Sequence, residues 1–421
     1  MYFCNSTKRN SVNNRINVTA FSKERRFDMT TKLYYQDSEI SSAVVQVIDS
    51  GKDQNGYYVI LDQSCFYPEG GGQPADTGEI GPAKVWTVQS VNGEIRHYTD
   101  TELPKERFSA QLDEQRRWDH MQQHAGQHLL SALFEDTLGL KTQSFHLGKE
   151  RVTIDLDLDT ATKKQLQEIE KKANELIGQA LPISTSWVTS EKANTLNLRK
   201  PPVVDGDIRL VEIEGIDLNA CGGTHPKTTA EIGLLKIIST EKNKGGMRVY
   251  FLCGNRAMQY FDFLVETTDQ LVVQLNAPAT ELTQAAETLL AEKTAASKTI
   301  KNLQEQLLNL EAKTIVPKNH LIQEIFENRS IKELQQLARL VITQHSAATA
   351  LFISSTEDDM RFVCAKGIDA PGDMREVLKQ LLALTDGKGG GNAQFAQGGG
   401  KTTESPIAFL TVFQEALKNF M

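Results

Sequence analysis

Two short segments, far apart in the chain, each place a pair of potential metal ligands four residues apart: His124 with His128, and Cys221 with His225. Residues four apart on a helix share one face, so His124 and His128 can direct two imidazoles at one point. Three imidazoles and a thiolate suit a tetrahedral zinc ion. The pairs are too distant for a zinc finger, so only a folded domain can bring them together. We therefore predict a zinc site held by these four residues.

His120 lies one further helical turn from His124. At a rise of 1.5 Å per residue, about 12 Å separate His120 from His128 along the helix axis. Zinc–nitrogen bonds are only about 2 Å long, so His120 is expected to be an outer contact, a substrate-facing residue or an ordinary polar helix position. The metalloprotease pattern HExxH is excluded, because Ala125 occupies the position of the glutamate base.

Length and composition indicate a globular protein of two or three domains. The chain has 421 residues, and no apolar run approaches the roughly twenty residues of a membrane span. Its five cysteines are scattered, which suits a reducing cytoplasm, so we expect a cytoplasmic protein without a membrane partner. The net charge of −8 argues against non-specific coating of nucleic acid but permits a local basic groove.

We predict an α+β fold class, because strand-like and helix-like segments follow one another along the chain. Turn sequences at residues 53–56 and 91–93 favour antiparallel hairpins. The predicted segments are 1–28, a disordered or mis-called extension; 29–112, a small antiparallel β-barrel; 113–254, the α/β zinc-dependent domain; 255–315, a helical hairpin or coiled coil; and 316–421, an α/β domain. The helical segment can pair within one chain or between two chains, so a homodimer is one of two alternatives.

Two glycine-rich stretches are interpreted as binding loops. The first carries Gly71 and Gly72 between Pro68 and Gln73, and a backbone without Cβ atoms lets another molecule approach closely. The second, residues 386–401, lies between two predicted helices. We expect it to be a loop that presents backbone N–H groups, Lys388 and Lys401 to phosphate or RNA, although it does not match GxxxxGK[ST].

Four motifs together resemble the free-standing alanyl-tRNA editing proteins, relatives of the editing half of alanyl-tRNA synthetase. They are Phe-Tyr-Pro-Glu-Gly-Gly-Gly-Gln at 66–73, His-Ala-Gly-Gln-His at 124–128, Cys-Gly-Gly-Thr-His at 221–225 and Asn-Lys-Gly-Gly-Met-Arg at 243–248. The resemblance covers nearly everything after Met29, and the C-terminal glycine tract looks like the family's DHHA1 domain. Two positions depart from the family pattern: threonine is usual at the place of Ser64 and common at that of Ala125.

The resemblance implies a zinc-dependent deacylase that removes serine, and as a second candidate glycine, from alanine's tRNA. It implies mischarged tRNA(Ala) as the partner and no aminoacylation activity. The candidate substrate contacts are Ser64, Gly71, Gly72, Gln73 and Thr224. The candidate tRNA contacts are Lys242, Lys244, Arg248, Lys388 and Lys401.

Two alternatives stay open at the level of sequence. The zinc ion can act on the ester, or it can organise the tRNA end, since four protein ligands would fill the tetrahedron that catalytic sites usually leave open for water. The chain can also be a non-catalytic, zinc-containing tRNA-binding protein derived from alanyl-tRNA synthetase.

Overall fold

The computed structural model describes residues 30–157, 161–200, 206–356 and 359–420; the predicted extension at 1–28 lies outside them. The chain forms two compact units, Met1–Thr268 and Asp269–Met421. The first unit combines helices with several sheets and the second combines helices with one sheet, which confirms the α+β class, while the finer five-segment division stays a prediction. Within the described ranges, no helix is both long and apolar enough to cross a bilayer.

The first unit is rich in short strands. Its strands are β1 Thr31–Lys32, β2 Ser42–Asp53, β3 Gly56–Leu61, β4 Gln63–Ser64, β5 Gly78–Ile80, β6 Ala83–Val91, β7 Glu94–Thr99, β8 Arg107–Leu112, β9 Thr142–Leu147, β10 Val152–Leu156, β11 Ile183–Thr189, β12 Asp207–Ile213, β13 Asp217–Ala220, β14 Leu235–Asn243 and β15 Gly246–Cys253. Its helices are α1 Leu33–Gln36, α2 Glu114–Leu138, α3 Lys163–Gly178, α4 Ser190–Ala193 and α5 Gly254–Leu275, the last extending past the unit boundary.

Six strands near the start of this unit pair antiparallel in a closed cycle, in the order β2, β3, β7, β6, β5 and β8. The turn between β6 and β7 places Asn92 and Gly93 at φ of 52° and 86°, as the predicted hairpin requires. Alternate residues such as Val45, Leu61 and Val85 point inward and form one apolar cluster.

Helix α2 lies in the main core of the first unit. The Asp113 carboxylate caps its start by accepting from Arg116 N, and Gly139 ends it at a φ of 70°. The core joins Leu129 and Phe134 of α2 to residues of the sheet β14-β15-β10-β9, of the sheet β11-β12-β13 and of α3. The helix prediction for this stretch is confirmed, whereas β9 and β13 were missed.

Gly126 marks the closest approach of α2 to the sheet beneath it. A Cβ built on Gly126 would overlap the sulfur of buried Cys253 on β15. The backbone of α2 can therefore lie this close to β15 only with glycine at that position. This close packing fixes the position of His124 and His128 relative to the sheet.

The second unit is a mixed sheet with helices on both faces. Its strands are β16 Leu321–Glu327, β17 Thr349–Ser355, β18 Asp359–Lys366, β19 Lys388–Gly391 and β20 Phe395–Lys401, and its helices are α6 Leu282–Thr314, α7 Ile331–Gln344, α8 Met374–Leu382 and α9 Pro406–Lys418. The order is β16-β17-β18-β20-β19, with β16 and β17 parallel and the other pairs antiparallel. Phe362 and Val363, neighbours on β18, belong to separate clusters on the two faces.

The glycine tract of the second unit is a hairpin, not the predicted loop, because β19 and β20 pair within it. Glycine is usually unfavourable in strands, but here close packing requires it. A Cβ on Gly398 would meet Leu378 and Leu382 of α8 at 3.0 Å, and a Cβ on Gly389 would meet Gly398 Cα at 2.9 Å. The tract thus lets helix α8 and the edge strand lie close to β20.

We predict that Gly126→Ala lowers the free energy of unfolding by about 1–3 kcal/mol, the usual cost of overpacking a filled core. Gly178→Ala is the matched control, since Gly178 also lies in a helix and an added Cβ there meets nothing within 4 Å. That control should be neutral or stabilising by up to about 1 kcal/mol. Urea unfolding of both variants measures the difference, and equal effects would contradict the packing argument.

Candidate metal centre

Helix α2 supplies two potential ligands on its buried side. His124 and His128 are 2% and 5% exposed, and their ring centroids lie 5.2 Å apart. Phe145 of β9 stacks on the His124 ring at 5.3 Å. The helical spacing thus places the two imidazoles side by side, as the sequence predicted.

The loop after β13 supplies the other two potential ligands, Cys221 and His225. The Arg209 guanidinium donates to the carbonyls of Cys221 and Gly223, both at 2.9 Å, which holds the loop in place. A Cβ on Gly223 would overlap the His124 imidazole. The second glycine of the motif therefore allows the loop to reach helix α2.

The four ligand atoms of His124, His128, Cys221 and His225 all lie within 4.8 Å of one another. The Cys221 sulfur is 3.5 Å from His124 Nε2 and 3.3 Å from His225 Nε2. In a tetrahedral zinc site with bonds of about 2.0–2.3 Å, donor atoms are about 3.4–3.6 Å apart. The donor types and their spacing therefore fit a zinc ion.

The electrostatics of the cluster also favour a metal. Burial alone raises the pKa of the Cys221 thiol, but His124 and His225 outweigh burial and hold that pKa well below its usual value. Burial, followed by the nearby His124, lowers the pKa of His225 to about 3. Zinc binds the thiolate and the neutral imidazole, which are the forms that these shifts favour.

Two of the imidazoles are oriented by hydrogen bonds on the side away from the cluster. His128 Nδ1 donates to Asp217 Oδ2 at 2.8 Å, and His124 Nδ1 donates to Gln73 Oε1 at 2.9 Å. Burial opposes protonation of His128, yet Asp217 and Cys221 outweigh it and raise its pKa to about 10. Positive charge at the far nitrogen of His128, from a proton or a metal, is therefore favoured.

Asp217 is itself held on two further sides. Arg199 Nε and Asn219 Nδ2 both donate to its carboxylate at 2.7 Å. Arg199 continues to the Asp136 carboxylate at 2.8 Å. The orientation of His128 thus depends on a network that runs from the buried cluster to the protein surface.

A cavity of about 800 Å³ adjoins the cluster. Its lining residues are Gly71, Gly72, His124, Gln127, His128, Ser131, Glu135, Lys141, Thr142, Gln143, Ser144, Phe145, Arg199, Lys200, Asn219, Ala220 and Cys221. Three of the four potential ligands face this space, and basic side chains line it as well. The cavity is large enough for an aminoacyl group and its ribose.

The predicted substrate contacts separate into two groups. Gly71 and Gly72 line the cavity, as the binding-loop interpretation expected. Gln73 and Thr224 are fully buried and bind each other, since Gln73 Nε2 donates to Thr224 Oγ1 at 2.8 Å and Thr224 N donates to Gln73 Oε1 at 3.1 Å. Gln73 and Thr224 therefore support His124, and their contact with substrate stays a prediction.

Ser64 lies outside the cavity lining. It is 1% exposed, and its hydroxyl donates to His97 Nε2 at 2.7 Å. Burial lowers the pKa of His97 to about 4, so this imidazole is neutral and can accept. Ser64 therefore belongs to the interior of the first unit, and its contact with substrate stays a prediction.

His120 and the basic candidates lie away from the four ligands. His120 is buried, its Nδ1 has no hydrogen-bond partner among the described residues, and burial lowers its pKa to about 3. Arg248 pairs with Asp155 at 2.7 Å, and Lys242 and Lys244 lie at the β14–β15 turn. Lys388 and Lys401 are exposed on β19 and β20. The tRNA contacts proposed for these basic residues stay predictions.

Asp217, Arg199 and Arg209 were missed in the sequence. A signal for Asp217 was present, because Asp217, Asn219 and Cys221 alternate and so share one side of an extended chain. Arg199 and Arg209 carried no local signal, since their partners lie in other segments.

Three protein-family models match segments of this chain. They are the threonyl and alanyl tRNA synthetase second additional domain at residues 208–250, the class II (A) tRNA synthetases at 4–115, and the DHHA1 domain at 318–419. The first match includes Cys221 and His225, and the last covers the sheet of the second unit.

Named relatives match over longer stretches. The alanyl-tRNA editing protein Aarsd1-A of Xenopus laevis is 30% identical over 388 residues, covering 87% of this chain and 91% of that protein. The alanyl-tRNA editing protein AlaX-L of Pyrococcus horikoshii is 28% identical over 412 residues, covering 93% and 100%. Aarsd1 of Rattus norvegicus is 38% identical over 213 residues, covering 49% and 52%. The matches therefore span about half the length of the mammalian relatives.

We predict that Asp217→Asn weakens zinc binding about 10- to 100-fold, because a neutral amide no longer fixes and polarises His128. Asp136→Asn is the matched control, since it removes the same charge from the outer end of the network and should change affinity little. Competition with a chromogenic chelator measures zinc affinity without relying on activity. Equal affinity of Asp217→Asn and the unchanged protein would contradict the role given to Asp217.

Proposed function

This chain belongs to the family of alanyl-tRNA editing proteins, and on that premise we propose that it hydrolyses the ester of an amino acid wrongly attached to alanine's tRNA. The first substrate is seryl-tRNA(Ala), with glycyl-tRNA(Ala) second. The observation that carries the proposal is the convergence of His124, His128, Cys221 and His225 beside a cavity of about 800 Å³. Such a reaction takes place where translation occurs, so we place the protein in the cytoplasm.

The chemistry needs little beyond a polarised carbonyl and a positioned water, because an aminoacyl ester is already activated. His124, His128, Cys221 and His225 would hold a zinc ion, which would supply Lewis acidity for that carbonyl. The side chains of this chain provide the rest: Asp217 and Gln73 orient the imidazoles, and Phe145 covers the His124 ring.

Four protein donors complete a tetrahedron, whereas catalytic zinc sites usually keep one position for water. The proposal therefore has two forms. In one form Cys221, which is partly exposed beside the cavity, leaves its position during turnover. In the other form the ligands stay in place and the site mainly orients the end of the tRNA.

Polar side chains of the cavity suit selection of serine over alanine. Gln127 and Ser131 both line it, and Gln127 Nε2 donates to Ser131 Oγ at 2.9 Å. A site that hydrogen-bonds a substrate hydroxyl rejects the analogue that lacks it, because the buried polar groups are then left without a partner. We assign the contact with the seryl hydroxyl to Gln127 and Ser131, beside the substrate contacts predicted for Gln73 and Ser64.

The second unit supplies candidate contacts to the body of the tRNA. Lys388 and Lys401 are both exposed at the open end of the glycine hairpin, where Lys388 pairs with Gly399 and most neighbouring strand residues are glycine. Helix α6 carries exposed Leu303, Leu307 and Leu310, and three- and four-residue spacing of apolar side chains suits a helix partner. A homodimer through α6 remains part of the proposal.

We predict hydrolysis of seryl-tRNA(Ala), little hydrolysis of alanyl-tRNA(Ala) and no aminoacylation. His225→Ala should abolish hydrolysis, since a buried ligand is removed, whereas His320→Ala, an exposed histidine of the second unit, should have no effect. Release of radiolabelled amino acid measures the rates, alongside metal analysis of each variant. Normal hydrolysis by a metal-free His225→Ala protein would overturn the metal-dependent mechanism.

We also predict that replacing both Lys388 and Lys401 by alanine weakens tRNA binding and makes its salt dependence shallower. Each lost phosphate contact removes about 0.9 from the slope of log affinity against log salt. Lys332→Ala, an exposed lysine of α7, is the control for a general loss of charge. Binding measured across a salt series decides the matter, and unchanged slopes would assign the hairpin another role.

A further inference from the structure

An exposed tryptophan lies on the same sheet face as the metal-ligand cysteine. Trp187 of β11 pairs directly with Arg209 of β12, and Cys221 N donates to Arg209 O across the next strand. Directly paired residues of antiparallel strands point to the same face. Neighbouring strands are about 4.8 Å apart, so Trp187 lies about 10 Å from Cys221. Its side chain is nevertheless 54% exposed.

Tyr35 joins this tryptophan to the metal-binding loop. The Tyr35 ring meets Trp187 edge-on at 5.5 Å and lies over the Arg209 guanidinium at 4.9 Å. A Cβ on Gly222, the residue after Cys221, would lie 3.4 Å from the Tyr35 hydroxyl. Trp187 and Tyr35 therefore connect the protein surface to the loop that holds Cys221 through direct aromatic contacts.

Positive charge accompanies these rings. Lys32 Nζ lies 5.7 Å from the centre of the Tyr35 ring. Arg209 is 6% exposed and donates to the carbonyls of the metal-binding loop, whereas Lys32 is exposed and is the cation of this group that can meet a phosphate. Aromatic rings interleaved with cations are the arrangement that binds single-stranded nucleic acid, because the rings stack with bases and the cations neutralise phosphates.

A single exposed tryptophan is ordinary in itself. Trp86 of β6, which is 50% exposed and contacts Tyr98, shows the same exposure on a different sheet. What distinguishes Trp187 is its register with Cys221, its contact with Tyr35 and the nearby Arg209 and Lys32.

We propose that Trp187 and Tyr35 form the surface on which bases of the single-stranded 3′ end of the tRNA stack while the aminoacyl ester lies in the cavity beside the four ligands. This inference rests on the proposed function, because the ester of an aminoacyl-tRNA is carried on the terminal ribose of such a single strand. Stacking on Trp187 would fix the strand about 10 Å from Cys221, close to where the ester must lie.

The test uses the full chain with zinc bound and compares Trp187→Ala, Trp187→Phe and the matched control Trp86→Ala. Binding of a short single-stranded RNA ending in CCA is measured by fluorescence anisotropy, and kcat and KM are measured on seryl-tRNA(Ala). Loss of one stacked base should weaken RNA binding and raise KM about tenfold in Trp187→Ala. Trp187→Phe should retain most of the affinity, kcat should change less than twofold, and Trp86→Ala should match the unchanged protein.

Equal RNA affinity and equal KM for Trp187→Ala and Trp86→Ala would overturn the inference. A fall in zinc content with a fall in kcat would also overturn it, since Trp187 would then only support the loop. If the unchanged protein hydrolyses no seryl-tRNA, the proposed function fails. The RNA-binding measurement then still judges the stacking surface, because it does not depend on turnover.

Discussion

The contact between the loop after β13 and helix α2 is the constraint on which the site depends. A Cβ on Gly223 would overlap the His124 imidazole, and a Cβ on Gly126, on the same helix, would overlap the Cys253 sulfur. The loop therefore needs glycine where it reaches helix α2, and helix α2 needs glycine where it meets the sheet. The fold places the four donor atoms within 4.8 Å of one another, so the contacts that hold the loop against helix α2 also hold the site together.

Charge burial makes the cluster and the cavity wall interdependent. Asp217 is 4% exposed, and a buried carboxylate costs several kcal/mol unless it is paired and hydrogen-bonded. Arg199 pairs with the Asp217 carboxylate and also lines the cavity, and Asp217 in turn orients the His128 imidazole. A ligand that draws Arg199 away would therefore also loosen a histidine of the metal site.

The four donors could be predicted from sequence because each pair is set by local spacing. Helix α2 and the β6–β7 hairpin could be predicted for the same reason, since helix caps and turns depend on neighbouring residues. The outer contacts could not, since Asp217 lies 89 residues from His128 and Gln73 lies 51 residues from His124. The sequence also carried no indication that Gln73 and Ser64 are buried and hydrogen-bonded to Thr224 and His97. The loop prediction for the glycine tract was wrong for a different reason: packing against α8 stabilises strands there although glycine has a weak strand propensity.

Recognition by the first unit alone would not suffice for an editing enzyme that acts on free tRNA. In the proposals above, the cavity that would hold the amino acid and the aromatic surface that would stack bases both act on the acceptor end, and stacking is tolerant of sequence. Such a site would accept serine on its own cognate tRNA as readily as serine on alanine's tRNA, which would destroy a correct product. Selection among tRNAs must therefore come from contacts farther along the molecule. In the proposal, the second unit makes those contacts through its exposed lysines on the glycine-rich hairpin.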